Sequence, residues 1–153
     1  MRTVSYESKS TSPWLYVIAG VIGMGGLVMA VVFGIALRPE AFFGLLMIAF
    51  AFFIANFAVL TVRVSEDQVA WSFGGGRIGR KLAIERIQAV EARKTPWYWG
   101  WGIRLTPSGW LWRSHGLDAV WLGYDDGKQT GIGTQDPKGL LRAVNLALEV
   151  RTK

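Results

Sequence analysis

The chain has 153 residues, 51% of them hydrophobic, and a formal net charge of +6, which gives room for one ordinary domain and a little more. It holds no cysteine and one histidine, His115, so disulfide frameworks, thiolate metal sites and multi-histidine metal centres are excluded. The basic excess would suit an anionic surface, either phospholipid headgroups or nucleic acid.

Hydrophobicity is unevenly spread. Between Trp14 and Val62 the only charged residues are Arg38 and Glu40, whereas from Arg63 onward charges recur every few residues. That step predicts an N-terminal tail over 1–13, transmembrane helices over 14–37 and 41–62, a connector over 38–40 and a separate domain over 63–153. The first run, Trp14 to Leu37, has 24 uncharged residues and would reach about 36 Å as a helix, more than a hydrocarbon core of about 30 Å. It is about twice the length of a signal-peptide core and a second apolar run follows at once, so it is read as an anchor that is not cleaved.

Small residues lie at helical spacing in both runs. Ala19, Gly23, Gly26, Ala30 and Gly34 form one stripe, and Ala41, Gly44, Ala51, Ala55 and Ala58 another. Lipid supplies no hydrophobic drive between helices, so close approach across small side chains is what makes dispersion contacts possible. The stripes predict an antiparallel hairpin, and they would equally serve a homo-oligomer. Asn56, the one strongly polar side chain in the spans, is expected to hydrogen-bond a neighbouring helix. Arg2, Lys9 and Arg63 flank the spans while the connector's Arg38 is offset by Glu40. By the positive-inside rule this predicts a multi-pass protein of the cell membrane with both termini cytoplasmic.

Residues 63–153 carry 14 Lys/Arg against 9 Asp/Glu. Beside a membrane anchor, that excess points to the lipid bilayer as partner and not to nucleic acid. Short alternating runs, broken by Gly, Pro and Asp, predict seven or eight antiparallel strands. The last four form two hairpins, one around Pro107-Ser108-Gly109 and one around Asp125-Asp126-Gly127-Lys128, whose Asp-Gly is a strong turn signal. A helix follows, with Asp136 as N-cap, Pro137 in its first turn and an apolar face of Leu140, Leu141, Val144, Ala147 and Leu148.

Specific residues in this region carry a resemblance. The run Trp97-Tyr98-Trp99-Gly100-Trp101-Gly102-Ile103-Arg104, then Gly109-Trp110-Leu111, Gly116-Leu117, Val120, Asp126-Gly127-Lys128, Ile132-Gly133-Thr134 and Pro137 with Leu140-Leu141, resembles bacterial pleckstrin-homology-like domain proteins. The resemblance covers about 61–150. It implies an all-β bent barrel closed by a C-terminal α-helix, and several such proteins carry a pair of membrane helices in front. Eukaryotic relatives often bind phosphoinositides through a basic first strand-strand loop. Here that loop is Ser65-Glu66-Asp67-Gln68 and acidic, so the role is not carried over.

Alternation of turns along the strands places Glu66-Asp67, Ala83–Glu85, Pro107–Gly109 and Asp125–Gly127 at one end of the domain, distal to the membrane. It places Gly74–Arg77, Lys94–Trp101 and Ser114–Gly116 at the proximal end. Arg77, Arg93, Lys94, Arg113, Trp97, Tyr98, Trp99 and Trp101 are therefore candidates for lipid or partner contact, because cations favour an anionic leaflet and aromatics favour its interface. The competing reading of the aromatics is that they fill the core of a small barrel. For helix packing the candidates are Gly23, Gly26, Ala30, Gly34, Gly44, Ala51, Ala55 and Asn56.

No nucleophile, base and orienting group come together in the sequence, and Gly74-Gly75-Gly76-Arg77 lacks the Gly-Lys-Ser/Thr ending of a phosphate loop. The expectation is a non-catalytic, membrane-anchored binding or scaffold module without cofactor or metal. It would engage a protein partner at the cytoplasmic face of the membrane. The alternative is a module that contacts or senses anionic lipid headgroups through its basic-aromatic loops.

Overall fold

A computed structural model of the protein describes residues 6–35 and 39–151. In chain order the elements are β1 (Tyr6–Thr11), α1 (Pro13–Ile35), α2 (Ala41–Asn56), β2 (Val59–Val64), β3 (Gln68–Phe73), β4 (Ile78–Ala83) and β5 (Ile87–Lys94). There follow β6 (Gly102–Thr106), β7 (Gly109–Arg113), β8 (Asp118–Tyr124), β9 (Gln129–Gly133) and α3 (Pro137–Arg151). The chain divides into a helical unit, Ser12–Ala58, and a β-unit containing β1 and everything from Val59 onward.

In the helical unit, α1 is uncharged. Among the described residues one helix, Pro13–Gly34, is long and apolar enough to cross a membrane. Pro13 opens it, a position where its fixed φ costs nothing and its missing N–H is not needed. The two helices meet where side chains vanish. A Cβ at Gly26 would lie 2.7 Å from the Gly44 carbonyl oxygen, and one at Gly44 would lie 2.6 Å from the Ala30 amide nitrogen. Gly26, Gly44 and Ala51 are buried, while a Cβ on Gly23 would rest 3.4 Å from that of Ala51. Gly34 is looser, with Ala41 4.0 Å away, and Ala30 and Ala55 are half-buried.

The second helix is shorter than the sequence predicts. It ends at Asn56, Phe57 caps it, and the last stretch of the expected span, from Val59, is strand. Its 16 residues cover about 24 Å, less than a hydrocarbon core of about 30 Å. The Asn56 amide donates to the Phe52 carbonyl one turn earlier in the same helix, at 2.7 Å. Of the expected connector, Arg38 lies outside the described residues, as do Ala36 and Leu37 of the first span and Arg2 of the tail.

The expected tail is largely a strand. β1 pairs antiparallel with β2 from Tyr6↔Val64 to Thr11↔Val59. The chain thus leaves the sheet at Thr11, traverses the hairpin, and rejoins the same ladder at Val59. At the hairpin's base the Ser12 amide donates to the Ala58 carbonyl at 2.8 Å.

Among the described residues nine strands make two sheets, ordered β1-β2-β3-β4 and β5-β8-β9-β7-β6. The expected hairpins β6–β7 and β8–β9 are present, but β7 also runs parallel to β9. The sheets do not close into the expected barrel. No ladder joins them among the described residues. Near β1 the two sheets are linked by single bonds, from the Ser114 hydroxyl to the Ser10 carbonyl (2.7 Å) and from Gln135 to the Thr11 carbonyl (3.3 Å).

Between the sheets, Phe73 of β3 stacks on Trp112 of β7 at 5.9 Å, and Trp71 meets the same ring edge-on at 6.1 Å. Leu140, Val144 and Ala147 of α3 are buried and the helix packs against β1, β2, β5 and β8. Asp136 caps it as predicted, accepting from the Gly139 amide at 2.8 Å, and the Tyr6 hydroxyl of β1 donates to the same carboxylate at 3.2 Å.

The chain has no cysteine, so the hairpin register is testable directly. Gly23→Cys with Ala51→Cys places two Cβ atoms at close to disulfide separation. Oxidation should crosslink that pair within one chain, while Gly23→Cys with the exposed Phe50→Cys should stay reduced. The reverse pattern on reducing and non-reducing gels would refute the packing.

Candidate functional site

Two groups of turns define the ends of the β-unit. At one end the Ile84 amide donates to the Asp67 carbonyl, Arg86 pairs with Asp125 at 3.2 Å and Arg151 with Glu85 at 2.8 Å. At the other end the chain exits to the helices, and the Ser114–Ser10 bond ties the β7–β8 turn to that exit. The 95–101 loop is at this exit end, because the Thr95 amide and hydroxyl both donate to the Leu117 carbonyl, at 2.7 and 2.8 Å. Within the β-unit, the turns fall at the two ends that strand alternation predicts.

The 95–101 loop is organised by one buried cation. Arg113, at the end of β7, is 1% exposed. Its Nε and Nη2 both donate to the Gly100 carbonyl, at 2.9 and 2.5 Å, and Nη1 donates to the Thr95 hydroxyl. These acceptors are neutral, and burial holds the guanidinium below its ordinary pKa. An arginine at this depth is tolerable because its fork finds an acceptor along several directions at once. Gly100 sits at φ 67° and ψ −167°, a conformation that glycine takes without strain. That turn aims its carbonyl at Arg113.

This staple sorts the aromatics. Trp99 turns inward, packing on Leu111, Ala119 and Trp121 and meeting the Trp121 ring edge-on at 6.3 Å. Trp97, Tyr98 and Trp101 turn outward, 77%, 68% and 48% exposed, with Leu117 44% exposed on the turn that Thr95 binds. Lys94 is exposed at the start of the loop. Exposed aromatics on a loop held by a buried cation make a rigid apolar tip, a costly arrangement in water unless something covers it.

Two further candidates lie elsewhere. Arg93 is half-buried on the sheet, its guanidinium 5.7 Å from the Trp121 ring centroid and 2.8 Å from Glu91. Arg77 is exposed after the Gly74–Gly76 turn, at the exit end of the first sheet. Arg113, read from sequence as a surface contact, is corrected to a buried positioning residue, since its hydrogen bonds all run inward to the loop it shapes. Among the described residues no three His, Cys, Asp or Glu side chains gather as metal ligands.

Scans against protein-family models, curated proteins and solved structures found nothing that matches this chain.

Replacing Arg113 by Met should free the loop. Unsatisfied acceptors at Gly100 and Thr95 would cost about 2–4 kcal/mol, read as a lower denaturant midpoint for the full chain in neutral detergent. Trypsin should then cut after Lys94 or Arg104 faster than in the parent. An unchanged midpoint together with unchanged cleavage would remove Arg113 from this role.

Proposed function

We propose that the chain is a membrane-anchored binding module of pleckstrin-homology-like type, whose aromatic loop docks at the lipid interface beside its own anchor. The observation that carries this reading is the exposed cluster of Trp97, Tyr98, Trp101 and Leu117 at the end where the chain leaves for the helices. Tryptophan and tyrosine favour the headgroup region because one ring edge is polar and the rest is apolar. Lys94 adds attraction to an anionic leaflet, worth about 1 kcal/mol near the surface.

The anchor is the helical hairpin. Its two ends emerge together at Thr11 and Val59, so the chain enters and leaves on one side of the bilayer, which the flanking charges make the cytoplasmic side. The short α2 is accommodated by local thinning of the bilayer. Two antiparallel-rich sheets with a C-terminal helix support the family reading. The missing barrel closure and the parallel β7–β9 pair depart from it.

Engagement of a protein partner is a second reading, favoured by a separate observation. Among the described residues strand β6 is an edge of the second sheet, and Leu105 on it stands directly opposite Trp110, both exposed. An exposed edge with apolar side chains is a template for strand addition by another chain.

The test uses the full chain in nanodiscs containing phosphatidylcholine brominated near the headgroup. Bromine should quench a tryptophan component that Trp97→Phe with Trp101→Phe removes. If the double variant is quenched to the same extent as the parent, the loop lies away from lipid and the strand-addition reading takes its place.

A further inference from the structure

The outer face of the first sheet carries a second feature. β1 to β4 place residues in cross-strand rows, and two adjacent rows point away from the core. One runs Lys9, Thr61, Ser72, Gly79 and the next runs Glu7, Arg63, Ala70, Lys81. With strands about 4.8 Å apart, each row spans roughly 14 Å. Small residues, Thr61, Ser72, Gly79 and Ala70, form a floor, and long cations stand around it. The result is a groove of about 490 Å³ that also takes in Gly75, Gly76 and Arg77 of the exit-end turn and Arg80 of β4.

Its chemistry is one-sided. Among the described residues five cations line the groove, namely Lys9, Arg63, Arg77, Arg80 and Lys81, and no acid does. The neighbouring carboxylate, Glu7, is committed to Arg63 at 3.1 Å and lies 3.7 Å from Lys9. Its hydrogen bond from Arg63 holds its carboxyl below the ordinary value. Arg80 and Lys81, exposed on edge strand β4, have no acidic partner among the described residues. Thr61 and Ser72 add neighbouring hydroxyl donors on the floor. Depth depends on Gly79, where a Cβ would come 2.6 Å from that of Ser72 and 2.7 Å from the Trp71 carbonyl oxygen.

We infer that this groove is a binding site for a compact anion carrying more than one phosphate group. Long cations around a hydroxyl-bearing floor suit phosphate oxygens, which accept several charge-assisted hydrogen bonds at once. The volume falls in the range of small-ligand clefts. The acidic Ser65–Gln68 loop is not part of its lining, and the site does not depend on the aromatic loop. A lipid headgroup and a soluble phosphate ester offer the same chemistry to it.

The experiment titrates the full chain, in neutral maltoside detergent, with inorganic pyrophosphate, followed by calorimetry. Saturable one-to-one binding is expected. Lys81→Gln with Arg77→Gln should weaken it at least about tenfold, Glu7→Gln should strengthen it, and raised salt should weaken it. Glu66→Gln with Asp67→Asn should leave it unchanged, and so should Trp97→Ser with Trp101→Ser, which separates this site from the lipid-docking loop. Repeating the titration in nanodiscs identifies the source. Loss of pyrophosphate binding in phosphatidylglycerol but not in phosphatidylcholine assigns the groove to lipid headgroups. Equal affinity in both assigns it to soluble phosphates. Absence of saturable binding in detergent and in both nanodiscs would overturn the inference, as would binding that the Lys81 and Arg77 substitutions leave unaltered while the variant melts like the parent.

Discussion

The β1–β2 ladder constrains the molecule more than any other pairing. Thr11 and Val59 stand opposite each other on adjacent strands, so the whole helical unit, Ser12–Ala58, begins and ends within one strand spacing, about 5 Å. Helices that must start and finish so close together need near contact along their length. Gly26 and Gly44 permit it, because neither position has space for a Cβ. Both crossings of the chain between its units also fall at one end of the first sheet. That end is therefore fixed by hydrogen bonds within the β-unit, and the Ser114 and Gln135 side chains bond to the same strand there.

Arg113 does for the loop what that ladder does for the hairpin. A buried guanidinium without an acid is destabilised by desolvation, and the protein offsets that cost with carbonyl and hydroxyl acceptors arranged around it. The arrangement is sensitive to geometry and so defines a single loop conformation. In that conformation Trp99 roofs the small cluster of Leu111, Ala119 and Trp121, and the neighbouring rings are left outside. The inward Trp99 and the outward Trp97, Tyr98 and Trp101 are one event, since the loop cannot bury the first without presenting the others. The reading of these aromatics as core is right for Trp99 alone among the four.

Much of the fold was legible in the chain's periodicity. Strands β2 to β9, the Asp-Gly hairpin, the capped C-terminal helix and the small-residue stripes follow from local rules that operate over a few residues. Three features were not legible, each for a physical reason. β1 alternates, but its inward positions beyond Tyr6 are Ser8 and Ser10, so no apolar rhythm marks it. The second apolar run continues without a break from Ala41 to Val62, and hydropathy alone does not separate its helical part from the β-branched strand at its end. Arg113 reads as a surface charge because its partners are backbone carbonyls and a hydroxyl that no sequence pattern announces. The basic groove depended on β1 and was hidden with it.

Charge placement links these parts. Glu66, Asp67, Glu85, Asp125 and Asp126 gather at the end away from the exit, where Arg86, Lys128 and Arg151 are drawn into ion pairs. The Asp126 carboxyl is held below its ordinary value, first by its hydrogen bond from Lys128. Such exposed pairs contribute little to stability, because solvent screens them and ordering two long side chains opposes the gain. Their effect is better sought in the field around the protein. By occupying the cations of the far-end turns they leave the positive potential concentrated over Lys94 at the exit end and over the outer face of the first sheet, where Lys81 and Arg80 are exposed. On the proposed reading, a phosphate-bearing surface or ligand is drawn to that cationic face and away from the acidic turns. That asymmetry orients an encounter before any contact forms, and the ladder and the Arg113 staple keep the contacting groups in place when it does.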